Sequence, residues 1–222
     1  MPTQTFLNLA ADKRERIVEL ALEEFSQRPY AQASLSRIVA RAGIAKGSIY
    51  QYFTDKFDLY RWLVVEEVGR RKQAFIGDAL PVEGDLRTRL RAMCIAGLRF
   101  ALTHPRLARV AAHAAAPGDE PALQALHAEM RAIGRAGLEA LLRGAQAAGE
   151  LRADLALAPA AAVLTAALGD GMMNALLERL GLTLPEYLAD TGLASRLSPE
   201  ETAELIDSLL DVLWNGIADR RM

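Results

Sequence analysis

The chain has 222 residues, 51% of them hydrophobic, enough apolar surface for one large or two small buried cores. Its one cysteine, Cys94, excludes an intrachain disulfide, and few aromatics among abundant Ala, Leu, Glu and Arg favour helices over sheets. The net charge of −2 argues against a chain-wide polyanion binder, but residues 1–56 carry eight Lys/Arg against six Asp/Glu, whereas the remainder carries 18 against 22.

The basic excess is concentrated further. Between Arg28 and Lys56 there are five basic residues and one acid, Asp55. A local positive field of this kind attracts a polyanion, although five basic residues also occur on ordinary solvated faces. The first ten residues hold no basic charge and no long apolar stretch, so no signal peptide is expected. The longest charge-free run of the second half, 155–169, contains Pro159 and falls short of the roughly twenty residues a membrane span needs. The expectation is a cytoplasmic protein that engages no membrane.

In chain order, Asn8 is expected to cap a helix reaching about Arg28, with Ile17, Leu20, Ala21 and Phe25 at helical spacing. Arg28-Pro29-Tyr30 ends it, because proline cannot continue the ladder. Ser34 is expected to cap a short helix bearing Leu35, Ile38, Val39 and Ala42, and Gly43 to supply its left-handed exit. A second short segment covers Lys46 to Phe53. Thr54 is then expected to cap a long helix from Asp55 to about Ala79, carrying Leu59, Trp62, Leu63 and Val68.

Pro81 and Gly84 punctuate the chain before Asp85 starts a helix with Leu86, Leu90, Met93, Cys94, Gly97 and Leu98 on one face. His104-Pro105 ends it and opens another, with proline in the first turn. Pro117-Gly118 reads as a break, followed from Pro121 by a long helix with Leu123, His127, Met130, Ile133, Leu138 and Leu141 at helical spacing, closed by Gly149. Pro159 opens an Ala/Leu-rich helix to about Gly181. Ser198-Pro199-Glu200-Glu201 starts a last helix through Leu205, Leu209, Val212, Leu213 and Gly216 to Arg220 and Arg221. No repeat or strand is expected, so the fold class is all-α.

Two short helices joined at a glycine are marginal alone, so something must brace them. Phe25, Phe57 and Leu59 are suited to do so, packing on inward Ile38, Val39, Ile44, Ile49 and Phe53 as a small three-helix core. Lys46, Ser48, Tyr50, Gln51 and Tyr52 are left pointing outward. Gln51 is able to make a bidentate contact to adenine, Lys46 and Lys56 to neutralise phosphates, and the three hydroxyls to bond phosphate oxygens. Gly47 admits close backbone approach to a groove. From spacing alone the same face reads equally well as the solvated side of an amphipathic hairpin.

The residues themselves go further. The stretch SLSRIVARAGIAKGSIYQYFTDKFDLY, Ser34 to Tyr60, closely resembles the DNA-binding signature of the TetR (tetracycline repressor) family, and the likeness continues upstream through KRERIVELALEEF, Lys13 to Phe25. Gly43, Tyr50, Tyr52, Phe53 and Lys56 all sit in register. The resemblance implies a helix-turn-helix DNA-binding domain of three helices at 1–56 and a larger helical ligand-binding and dimerisation domain at 57–222. It implies a bacterial regulator, usually a repressor, that grips a palindromic double-stranded DNA operator as a homodimer and is released by a small-molecule effector.

By that resemblance Ser34 and Lys56 are phosphate anchors at helix N-termini. Lys46, Gly47, Ser48 and Gln51 face bases or the flanking backbone, and Tyr50 and Tyr52 contact phosphate. Arg37 departs from the family, which often has an acid there; it either adds a phosphate contact or pairs with Glu23 or Glu24.

Similarity of layout implies that the three helices between Asp85 and Gly149 enclose a ligand cavity and that the last two long helices pair with their twins. Ala166, Ala167, Gly169, Gly171 and Ala175 permit close helix approach, and Leu209, Leu213, Gly216 and Ile217 form an apolar stripe; the rival reading has these helices completing a monomer core. Candidate ligand contacts are Trp62, Met93, Phe100, His104, His127 and Met130, each also explicable as core packing. Cys94 reads as a small buried hydrophobe, with redox sensing the alternative.

His104, His113 and His127 are too widely spaced for a local metal motif, and no metal or cofactor is expected. With no nucleophile elbow, phosphate-cradling loop or His-Glu-x-x-His pair, no catalytic residues are expected. The alternative function is a helical ligand-binding or interaction protein without DNA activity.

Overall fold

The computed structural model describes residues 1–81, 83–116, 119–189, 192 and 196–215, and these are helical with no strand among them. Pro117, Gly118, Gly216, Ile217, Arg220 and Arg221, singled out above, lie outside the described residues.

The chain starts with a helix that was not anticipated. Thr3 is the N-cap of α1 (Gln4–Leu7), and Asn8, expected to open the following helix, closes this one, its N–H bonding back to Gln4 O. Helix α2 (Ala11–Gln27) follows with Ala10 at its N-cap and no side-chain cap. A 3₁₀ turn, Tyr30–Gln32, leads to α3 (Leu35–Ala42). Ser34 occupies the N-cap of α3 but its side chain caps nothing. Gly43 ends the helix at φ 68°, with its own N–H on Ala40 O and that of Ile44 on Val39 O, a left-handed exit that strains any residue with a Cβ.

The segment from Lys46 is a 3₁₀ turn, Lys46–Ser48, running into the single-turn helix α4 (Ile49–Tyr52). Asp55, not Thr54, caps α5 (Lys56–Trp62), its carboxylate accepting the Asp58 N–H at 2.8 Å. Helix α5 continues through a wide π turn, Leu63–Val68, into α6 (Gly69–Ala79).

Helices α7 (Leu86–Thr103), α8 (Pro105–Ala115) and α9 (Pro121–Ala147) come next, α7 started by Asp85 accepting the Thr88 N–H and α8 by proline in its first turn. Helix α10 (Leu157–Ala166) begins two residues ahead of Pro159 and passes through a second π turn, Ala167–Gly171, into α11 (Met172–Leu180), which Gly181 ends at φ 64°. The short α12 (Leu184–Ala189) was not foreseen. Helix α13 (Pro199–Asn215) opens with a reciprocal capping box: Glu201 accepts the Ser198 N–H at 2.9 Å and Ser198 Oγ accepts the Glu201 N–H at 3.1 Å.

Two compact units result. The first comprises Met1–Ala74 and His104–Met130. Ile17, Ala21, Leu22, Phe25, Ile38, Ile49, Phe53 and Leu59 form its buried core. Helix α8 belongs to it, with His113 Nδ1 3.0 Å from Phe25 O and Arg106 bonded to Glu19. Arg71 ties α6 to α2 by donating to Glu19 and Glu15 while also holding Glu67. The stretch 1–56 lies wholly within this unit.

The second unit comprises Phe75–Thr103 and Arg131–Met222. Its core gathers Leu86, Leu90, Leu98, Leu142, Leu176, Tyr187, Ile206 and Leu210, with Cys94 buried among them. Each such leucine contributes about 1.5–3 kcal/mol, against about 0–1 for an exposed ion pair, so apolar burial holds this unit together. One apolar surface is not covered. The helix Leu157–Leu180 is long and apolar enough by composition to cross a membrane, yet only 11% of its most apolar window is buried. Val163, Val212 and Trp214 stand exposed in the same unit.

Candidate nucleic-acid interface

Helix α4 has one turn, and its two faces are sharply different. Ile49, Tyr52 and Phe53, three and four residues apart, point the same way and are buried. Lys46, Gly47, Tyr50 and Gln51 are exposed, Tyr50 by 54%, and Ser48 is half-buried. Tyr52, expected to face outward, is therefore corrected. It shares the register of Ile49, is 4% exposed, and its ring lies 5.8 Å from that of Phe6. A hydroxyl tip suggested solvent, but helical register assigned the ring to the core.

Gly47 has no internal reason to be glycine. Its φ is not in the left-handed region, and a Cβ there would meet nothing within 4 Å. The open space lies on the outer side, beside Lys46 and Gln51, where a groove-bound backbone would approach.

Other side chains expected to contact DNA have internal duties. Arg37 donates to Glu24 Oε1 through Nε at 2.9 Å and through Nη2, and to Gln32 O at 2.7 Å. Of the two roles open to it, pairing with Glu24 is the one observed. The Ser34 N–H donates to the same Glu24 oxygen at 2.9 Å, so a carboxylate from α2 takes the N-cap amide that the third helical residue of a capping box takes, Arg37 standing at that position here. Burial alone would push the Glu24 carboxyl up, but Arg37, the Ser34 amide and Arg28 together hold it below its ordinary value. Arg41 pairs with Glu23 at 2.8 Å and holds that carboxyl low as well.

Lys56 Nζ donates to Tyr30 O at 2.8 Å and Ala33 O at 3.2 Å, and sits 4.2 Å above the Tyr30 ring. It pins the 3₁₀ turn ahead of α3 onto α5. Burial, with Glu120 and Asp55 nearby, pushes the Tyr30 hydroxyl up to about 12, so that ring stays neutral beneath the ammonium. Arg28, Arg37 and Arg41 thus answer Glu23 and Glu24, and Lys46 is an exposed cation beside α4.

Two residues behind α4 escaped the sequence reading. Thr3 donates its N–H to Tyr52 O at 2.9 Å and its hydroxyl to Gln51 O at 2.5 Å. Phe6 is fully buried, its ring 4.9 Å from Phe53 and 5.4 Å from Trp62. The signal was a threonine three residues before an apolar one, overshadowed by Asn8 as a competing cap.

The six candidate ligand contacts are not gathered in one place. Trp62 belongs to the aromatic cluster around Phe6 in the first unit. His104, His127 and Met130 are also in that unit, half-buried. Met93 and Phe100 lie in the second, Met93 against its core and Phe100 with its ring 5.6 Å from Phe75. The second unit holds an open cavity of about 700 Å³, bounded by Leu86, Leu90, Leu142, Leu164, Leu213 and Trp214, with Glu150 and Arg152 its charged lining. None of the six lines it, because it is formed by helix ends and the 150–156 loop rather than by mid-helix aromatics.

Residues 17–62 match the family model described as bacterial regulatory proteins, tetR family. The HTH-type transcriptional regulator AcrR of Shigella flexneri is 33% identical over 103 residues, covering 44% of this chain and 45% of that protein, so the chain matches less than half of AcrR. The "Probable acrEF/envCD operon repressor" of Escherichia coli strain K12 is 23% identical over 89% of this chain and 92% of its own length. Among solved structures, a TetR family transcriptional regulator from Chloroflexus aurantiacus J-10-FL superposes with a TM-score of 0.66 at 32% identity, covering 99% of this chain and all of that one.

Proposed function

The chain belongs to the TetR family of bacterial regulatory proteins, and from that premise we propose that it is a transcription repressor. It binds a palindromic operator as a homodimer and leaves it when a small molecule binds. The observation that carries this reading is the outer face of α4. Lys46, Gly47, Tyr50 and Gln51 are exposed together on a turn fixed from behind by Ile49, Tyr52 and Phe53. Gly47, which neither its φ nor its packing requires, supports close approach of a second molecule there.

DNA contact falls within residues 1–56, and residues 57–222 serve ligand binding and dimerisation. Exposed Val163, Val212 and Trp214, with the barely buried helix Leu157–Leu180, support pairing of the last two long helices with their twins. A membrane span is the poorer account of that helix, since Asp170 near its middle would cost about 2.5–3.5 kcal/mol to insert. We accordingly read the protein as cytoplasmic, and as a regulator rather than an enzyme.

The effector is a small molecule with mostly hydrocarbon surface, as the leucine-rich lining of the 700 Å³ cavity suits. Glu150 is paired with Arg89 and Arg152 with Asp154, which disfavours a ligand of high net charge.

The test is selection of bound duplexes from a random library, then titration across salt. A recovered palindrome, bound with an affinity that falls steeply as salt rises, supports the reading. A chain that binds hydrophobic ligands but no duplex would be the ligand-binding protein of the alternative reading.

A further inference from the structure

We infer that Thr3 is a positioning residue for sequence reading by Gln51, acting from behind α4. This rests on the DNA-binding reading above. A single-turn helix leaves its C-terminal carbonyls without helical partners, and such a turn frays unless something meets them. Phe53 N–H takes Ile49 O, and the next carbonyls toward the C-terminus that are answered from outside are those of Gln51 and Tyr52, both by Thr3. The Thr3 hydroxyl also accepts the Phe6 N–H at 3.4 Å, so one oxygen caps the start of α1 while donating to α4. Phe6, buried against Tyr52, Phe53 and Trp62, anchors that brace.

The bond falls on the carbonyl of Gln51 itself, next to the Cα that carries the exposed side chain. Loosening it lets the end of α4 rotate, which a bidentate base contact tolerates poorly and a lysine–phosphate contact tolerates well. Lys46 lies in the turn before α4 and is not held by this bond. Thr3 therefore sets discrimination between sequences and leaves backbone affinity alone.

The experiment uses the full chain, the duplex recovered by selection, and a scrambled duplex of equal length. Thr3→Val keeps the shape and the backbone N–H but removes the hydroxyl donor. It is expected to narrow the ratio of selected to scrambled affinity about three- to tenfold, the worth of one hydrogen bond. The salt slope is expected to stay that of the parent, and Thr3→Ser to restore the ratio. A purely structural role would lower the melting temperature and weaken both duplexes alike. Equal weakening, or a parent-like ratio in Thr3→Val read where both proteins are fully folded, overturns the inference. A parent chain with no salt-dependent duplex binding overturns the DNA-binding reading with it.

Discussion

Glu24 Oε1 lies 2.9 Å from Arg37 Nε and takes the Ser34 N–H at the same distance, so the start of α3 hangs on a carboxylate of α2. That carboxylate is buried, and neutralising it weakens the bond from the Ser34 amide and leaves the Arg37 guanidinium with Gln32 O but no counter-charge. Glu24→Gln is expected to cost about 1–3 kcal/mol, read as a lower urea midpoint. The effect depends on pH. Because the folded carboxyl titrates below its ordinary value, its stabilisation is complete above the ordinary carboxylate range and disappears as pH falls through the lowered folded value. The gap between parent and variant should shrink on acidification from about pH 7 to pH 3. A gap constant over that range would show that the ion pairing contributes nothing.

Lys46 and Gln51 should separate in their effects on DNA. Lys46→Ala is expected to weaken all duplexes and to reduce the slope of log affinity against log salt by about one. Gln51→Ala is expected to cost about 1–3 kcal/mol on the selected operator and much less on a scrambled one. Fluorescence anisotropy across a salt series distinguishes them. Equal loss on both duplexes would remove Gln51 from base reading.

Lys56 should behave unlike Lys46, although sequence alone treats the two as equivalent phosphate contacts. Two of its three N–H donors already serve Tyr30 O and Ala33 O, so at most one remains for a phosphate. Lys56→Ala is expected to lower stability by about 1–2 kcal/mol, through two charge-assisted bonds and the cation–π contact. Its salt slope should change less than that of Lys46→Ala. A full unit of slope at unchanged stability would return Lys56 to the role of phosphate anchor.

What the sequence makes legible here is whatever a few neighbouring residues decide. Gly43 at the exit of α3, Pro105 at the start of α8 and the Ser198–Glu201 capping box all stand where local chemistry puts them. Of the inward set, Ile38, Val39, Ile49 and Phe53 are buried as period alone expects, and Ile44, just past the Gly43 turn, is half-buried. The errors concern residues whose role is set by something distant in sequence. Arg37 stands where a capping box has Glu, and Glu24, ten residues back, takes the Ser34 amide in its place. Tyr52 shares the inward register of Ile49 and is covered there by Phe6 of α1, and Lys56 turns to carbonyls 23 and 26 residues away. The cavity was illegible for the same reason, since its lining runs from Leu86 to Trp214 and no short window contains it.

Val163 and Val212 supply a test of the dimer that the monomer fold should tolerate. They are 62% and 51% exposed, so a charge at either position meets solvent in the isolated chain and should change its stability by about 0.5 kcal/mol or less. Across a two-fold interface each substitution is made twice, and burying two glutamates without partners is costly. Val163→Glu and Val212→Glu are therefore expected to convert the dimer to monomer in sedimentation equilibrium with helical content retained. Operator affinity should fall by far more than either substitution could cause through contact, because one recognition helix then binds a half-site without its tethered twin. If both variants sediment as dimers and hold the operator like the parent, the exposed apolar faces of α10 and α13 serve something other than self-association.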